Sequence, residues 1–177
     1  MTYPETLLER RFWRFWLTGL LLLAAQIVMN VWLITDIAPL GISDHQAAGT
    51  ATRVNEIQAS WESAAVMKLA RLSMLVDLCF IGIYTFGAAA GGLLFAREKT
   101  ALLKRVGVIV LVCAILFGIT DYVETISQFV QAMRGEGSDA LAGLAASVRP
   151  IKSVAFLITF FGLLAALWIR RTARRTG

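Results

Sequence analysis

The chain has 177 residues, of which 58% are hydrophobic and 16% charged, and its mean hydropathy is +0.69. That balance excludes an ordinary water-soluble domain and indicates an integral membrane protein. The net charge of +5 comes from short basic flanks beside apolar runs, without interleaved aromatics, which suits anionic lipid headgroups and excludes a nucleic-acid surface.

The first apolar run, residues 15–34, follows Arg10, Arg11 and Arg14. It is too long for the core of a secretion signal and reads as an uncleaved anchor. Trp13 and Trp16 at one end and Trp32 at the other are placed as interfacial anchors. A turn-rich stretch with Asp36, Pro39, Gly41 and Asp44 comes next, and the single histidine, His45, reads as a polar surface residue there. Val54, Ile57, Trp61, Ala64, Ala65, Leu69 and Leu72 then recur at helical spacing, which predicts a helix from near Thr52 running unbroken into the second apolar run, residues 72–96.

A short connection carrying Arg97, Lys99, Lys104 and Arg105 leads to the third run, residues 106–123, whose helix continues through Ile126, Phe129 and Met133 to a stop at Arg134–Gly137. Ser138 or Asp139 is a cap for a further helix, residues 140–148, which leads through Pro150 into the fourth run, residues 152–169. Trp168, Arg170, Arg171, Arg174 and Arg175 close the chain.

A hydrocarbon core of about 30 Å needs roughly 20 helical residues, and these runs approach or exceed that length. The expected fold is a single all-α membrane domain over residues 1–177. It is an antiparallel four-transmembrane-helix bundle, in which the outer connections 35–71 and 124–151 form a small helical cap. An amphipathic segment lying flat on the outer leaflet is the alternative for those connections. The basic flanks all fall on the side of the two termini, so that side is expected to be cytoplasmic and the location a plasma membrane, in the first instance a bacterial inner membrane. Cys79 and Cys113 lack CxxC spacing and read as structural. GxGxxG, Walker and HExxH signatures are absent.

Ionisable groups inside apolar runs are expensive unless paired or hydrated, which directs attention to Asp77, Asp121 and Glu124. Alternating steps of four and three residues put Ser73, Asp77, Phe80, Tyr84, Gly87 and Gly91 on one helical stripe. Gly107, Ala114, Gly118, Asp121, Thr125 and Gln128 form a second, Gly19, Leu23, Gln26 and Asn30 a third, and Lys152, Ala155, Thr159, Gly162 and Ala166 a fourth. Polar and small residues so arranged are expected to face other helices. Counting about 1.5 Å per residue from the basic flanks puts Asn30, Asp77, Asp121, Glu124 and Lys152 roughly 24–30 Å deep, with Tyr84 near 20 Å.

These depths predict a polar pocket open to the outer side and lined by Asp77, Tyr84, Asp121, Glu124, Asn30 and Lys152. Such a pocket suits a proton, a small cationic ligand or a hard cation such as Ca²⁺ or Mg²⁺, and so a transport-related or ligand-binding role. Two other readings use the same residues. One is a membrane enzyme acting on a lipid or peptide at the outer leaflet, with Asp77 and Asp121 as a carboxylate pair. The other is an assembly or accessory subunit in which Lys152 pairs with Asp77 or Asp121, and Arg149 or Arg71 with Glu124, to set helix register. Gly87 and Gly91 form a GxxxG motif that serves packing within the bundle or against a second subunit, and the outer cap is the other surface for a membrane-protein partner.

Overall fold

The computed structural model describes residues 6–176, the side chains of 174–176 excepted, so Arg174 and Arg175 of the basic flank lie outside the described side chains. Among the described residues the chain is all-helical: α1 Leu7–Val31, α2 Ile42–Gln46, α3 Ala51–Ser63, α4 Met67–Ala96, α5 Ala101–Arg134 and α6 Asp139–Thr176. Of these, α1, α4, α5 and α6 are long and apolar enough to cross a membrane. The chain divides into two compact units. The first comprises the chain up to Leu20, Gly82–Gly118 and the chain from Ile151 on; the second comprises Leu21–Ile81 and Ile119–Pro150.

In the first unit the helices meet through small residues and aromatic rings. An added Cβ on Gly87 would collide with the backbone of α1 at Trp16 and Phe15, and one on Gly91 would lie 2.6 Å from Phe12. The GxxxG pair is therefore used in packing within the chain, the first of its two expected uses. Gly92 and Gly107 face each other in the same way and bring α4 against α5, so that a Cβ on Gly92 would lie 2.6 Å from the Leu111 backbone nitrogen. Phe12 stacks on Trp16 at 5.4 Å and meets Phe95 edge-on at 6.1 Å. Trp16 is accordingly buried and is a core residue, not the interfacial anchor its position suggests. Trp32 and Trp168 are exposed. Arg170 joins three chain segments by pairing with Glu9 at 2.6 Å and Glu98 at 3.1 Å.

In the second unit the core gathers Leu33, Ile57, Trp61, Met67, Ala70, Met74 and Ala132. Trp61 is fully enclosed, and its Nε1 donates to the Leu33 carbonyl at 2.8 Å, so the indole has both the apolar contact and the acceptor that a buried tryptophan needs. Two further bonds tie the start of α3 to the connection between α5 and α6. Asp139 accepts from the Ala51 N–H at 2.7 Å, and Asn55 accepts from the Gly137 N–H at 2.6 Å.

The expected unbroken helix from Thr52 into the second apolar run is interrupted at residues 64–66. Ala65 takes a left-handed conformation, φ 58°. Its N–H donates to the Glu62 carbonyl at 2.9 Å and the Val66 N–H to Trp61 at 2.8 Å, the paired bonds of a Schellman stop. Val66 packs against the core that contains Trp61, which is the hydrophobic contact that accompanies such a stop. The break therefore comes from tertiary burial, without a glycine to announce it. A left-handed alanine costs roughly 1–2 kcal/mol, part of which glycine recovers. Ala65→Gly is expected to stabilise the protein by about 0.5–1 kcal/mol, measured by reversible unfolding in detergent; a loss of stability would contradict this account of the stop.

Candidate functional site

The second unit encloses a partly open cavity of about 60 Å³. Its polar wall is formed by Gln26 of α1, Gln46 of α2, Ser73 and Asp77 of α4 and Gln128 of α5, and Ile42 and Met74 supply its apolar part. At roughly 10–15 Å³ for each water-sized position, the space holds about four to six such positions, far below what a drug-sized ligand needs.

The wall is held by hydrogen bonds among its own members. The Gln26 amide donates to the Ser73 carbonyl at 2.9 Å, and the Ser73 hydroxyl donates back to Gln26 Oε1 at 2.8 Å. This reciprocal pair ties α1 to α4 and fixes the Gln26 amide orientation. Asp77 is half-buried and accepts from the Thr125 hydroxyl of α5 at 2.8 Å. Gln128 is 1% exposed, and its side chain meets His45.

Beside this wall stands a buried imidazole. His45, 2% exposed, stacks on Trp61 with ring centroids 5.3 Å apart. Its Nε2 lies 3.3 Å from the Gln58 amide nitrogen. Burial pushes its pKa down to about 4 against a smaller opposing effect of a hydrogen bond with the Gln128 side chain. His45 is thus a core residue and not the polar surface residue expected: the short α2 turns it inward. That turn depends on Gly41, φ 62°, where an added Cβ would collide with Asn30 Oδ1.

The six residues expected to line one pocket are placed as follows. Asp77 is on the cavity wall. Asp121 and Glu124 are buried on α5 in the same unit, 2% and 0% exposed, and have partners of their own without forming part of that wall. Asn30 is used structurally: its Oδ1 accepts from the Ile42 N–H at 2.8 Å and its Nδ2 donates to the Leu40 carbonyl at 3.3 Å. Tyr84 belongs to the first unit, where Phe117 and Phe156 pack on it at 5.5 and 5.3 Å. Lys152, half-buried and with a partner of its own, also belongs to the first unit.

Among the described residues no three His, Cys, Asp or Glu side chains converge as a metal ion requires. The wall residues absent from the expected pocket fall into two groups. Gln26, Ser73 and Gln128 lie on the polar stripes and were legible as inward-facing, whereas Ile42, Gln46 and Met74 carry no signal in the sequence pattern. Comparison with known proteins finds no matching family, curated protein or solved structure.

Proposed function

We propose that this is a multi-pass plasma-membrane protein, of a bacterial inner membrane in the first instance, whose cavity binds a small organic cation at Asp77. The four long helices act as four crossings of one membrane domain with both termini in the cytoplasm, because the basic flanks border the same side in that arrangement. The observation that carries the ligand reading is the composition of the cavity wall. One carboxylate stands among neutral amides and a hydroxyl, so a bound cation meets a single negative charge and several further acceptors. The small volume selects a ligand of a few heavy atoms, in a transport-related or ligand-binding role.

Asp77→Asn keeps the shape of the wall and a hydrogen-bond acceptor for Thr125 while removing the charge. In wild type, a small ammonium at a hundred times its Kd is expected to add about 2.7 kcal/mol to stability. In Asp77→Asn that gain is expected to vanish while basal stability changes by much less. Thermal unfolding in detergent over a concentration series of ammonium salts, with sodium controls, measures this directly. Equal gains in both proteins would remove the cavity as the cation site.

A further inference from the structure

We infer that α2 is a proton-released strap beside the cavity: protonation of His45 frees residues 42–48 from the second unit, withdraws the wall formed by Ile42 and Gln46, and opens the way to Asp77. Its part as an entrance rests on the proposed cation site and adds the regulation of that site. Three observations carry it.

The first is position. Ile42 and Gln46 stand one helical turn apart on α2 and both line the cavity, while His45, between them, is turned into the core on Trp61. The cavity cannot keep this wall if His45 leaves the core. The second is the pair of hinges. Gly41, φ 62°, and Gly49, φ 70°, bracket the segment in left-handed backbone, which glycine adopts without steric cost. Between them α2 has five residues, too few for a helix to be stable by itself. It is held by the Ile42 N–H, which donates to Asn30 Oδ1 at 2.8 Å, and by the packing of the imidazole.

The third is the chemistry of that latch. The ring is 2% exposed, and the side chains against it, Gln58 and Trp61 of α3 and Gln128 of α5, are neutral. The acids of the surrounding elements are engaged elsewhere. Asp44 of α2 accepts from the Leu40 N–H at 2.6 Å, Asp77 of α4 accepts from Thr125, and Asp121 and Glu124 of α5 have partners of their own. An imidazolium in the closed strap has therefore lost water without gaining a counterion, and release into water removes that penalty. Proton uptake draws the strap outward.

The test is hydrogen–deuterium exchange with mass spectrometry on the full chain in phosphatidylglycerol nanodiscs, without added cation, at pH 6.5 and pH 5, corrected for the intrinsic effect of pH on exchange. The Asp44, Ala47 and Ala48 N–H groups donate to the carbonyls of Gly41, Ser43 and His45 and report the strap. At pH 6.5 the protection of residues 42–48 is expected to be at least about tenfold below that of residues 54–61 in α3, as a separate opening requires. It is expected to fall about fifteenfold further by pH 5, because the imidazole titrates at about 4 when closed and at an ordinary 6.5 when released. His45→Gln is expected to give the strap the same protection at both pH values. Equal protection of the two segments at pH 6.5 would make the opening global and overturn the strap. So would strap protection that does not change with pH, or that falls as far in His45→Gln. The wild-type series decides even where that variant fails to fold. With no cation present, failure here leaves the Asp77 reading standing, and failure of the Asp77→Asn test leaves the strap standing.

Discussion

Gly87→Ala is expected to lower stability by about 2 kcal/mol, whereas Gly143→Ala is expected to raise it by up to about 1 kcal/mol. Both positions are in helices, at α4 and near the start of α6, so intrinsic helix propensity alone gives both substitutions the same favourable sign. Packing separates them. A Cβ on Gly87 would lie 2.7 Å from the Phe15 carbonyl carbon and 2.8 Å from Trp16 Cα, whereas the nearest atom to one on Gly143 is the Gly49 carbonyl oxygen at 3.8 Å. The first pair are backbone atoms of a neighbouring helix, which no rotamer change can move aside. An overpacking cost of roughly 1–3 kcal/mol or more therefore exceeds the propensity gain at Gly87. Unfolding of both variants in the same detergent decides the matter, since a shift of both in the same direction would contradict close contact of α1 with α4.

Acidification from pH 6.5 to pH 4 is expected to remove on the order of 3 kcal/mol through His45 alone, a large share of a typical folding free energy. The folded-state pKa is lowered to about 4 from an ordinary 6.5. Between those values the unfolded chain binds a proton that the folded chain refuses. The contribution is thus fully present above about pH 6.5 and is lost as pH falls towards 4. The side chains found against the ring, Gln58, Trp61 and Gln128, do not titrate in this window. His45→Gln removes the titrating group, so its stability curve is expected to be flatter between pH 5 and 6.5 than that of wild type. Parallel curves for the two proteins would contradict a buried neutral imidazole.

Much of the helical architecture is legible in the sequence because its signals are local and repeated. Apolar length marks the four candidate spans, and the stripes mark their inward faces: Gly107, Ala114, Gly118, Asp121, Thr125 and Gln128 are all buried. The wall of the cavity is less legible. Counting residues along a helix gives a depth, but it does not give the direction in which a side chain turns or which helix it faces. Asn30 and Gln26 share a stripe, yet Asn30 is drawn to the Ile42 N–H by the turn at Gly41, and Gln26 is the one that reaches the wall. The short α2, with Ile42, His45 and Gln46, has no periodicity long enough to read. Its inward turn follows from tertiary contacts that Trp61 and Asn30 make across the chain.

Recoupling of ¹⁵N-methylammonium to aspartate ¹³Cγ by magic-angle-spinning NMR, with the full chain in phosphatidylglycerol bilayers, tests the ligand site most directly. A charge-assisted hydrogen bond of about 2.8 Å to a carboxylate oxygen places the nitrogen within about 4 Å of Cγ. The account predicts strong dephasing of one aspartate carboxyl signal in wild type and none in Asp77→Asn. Dephasing that persists in Asp77→Asn, or no dephasing at saturating methylammonium, would contradict it.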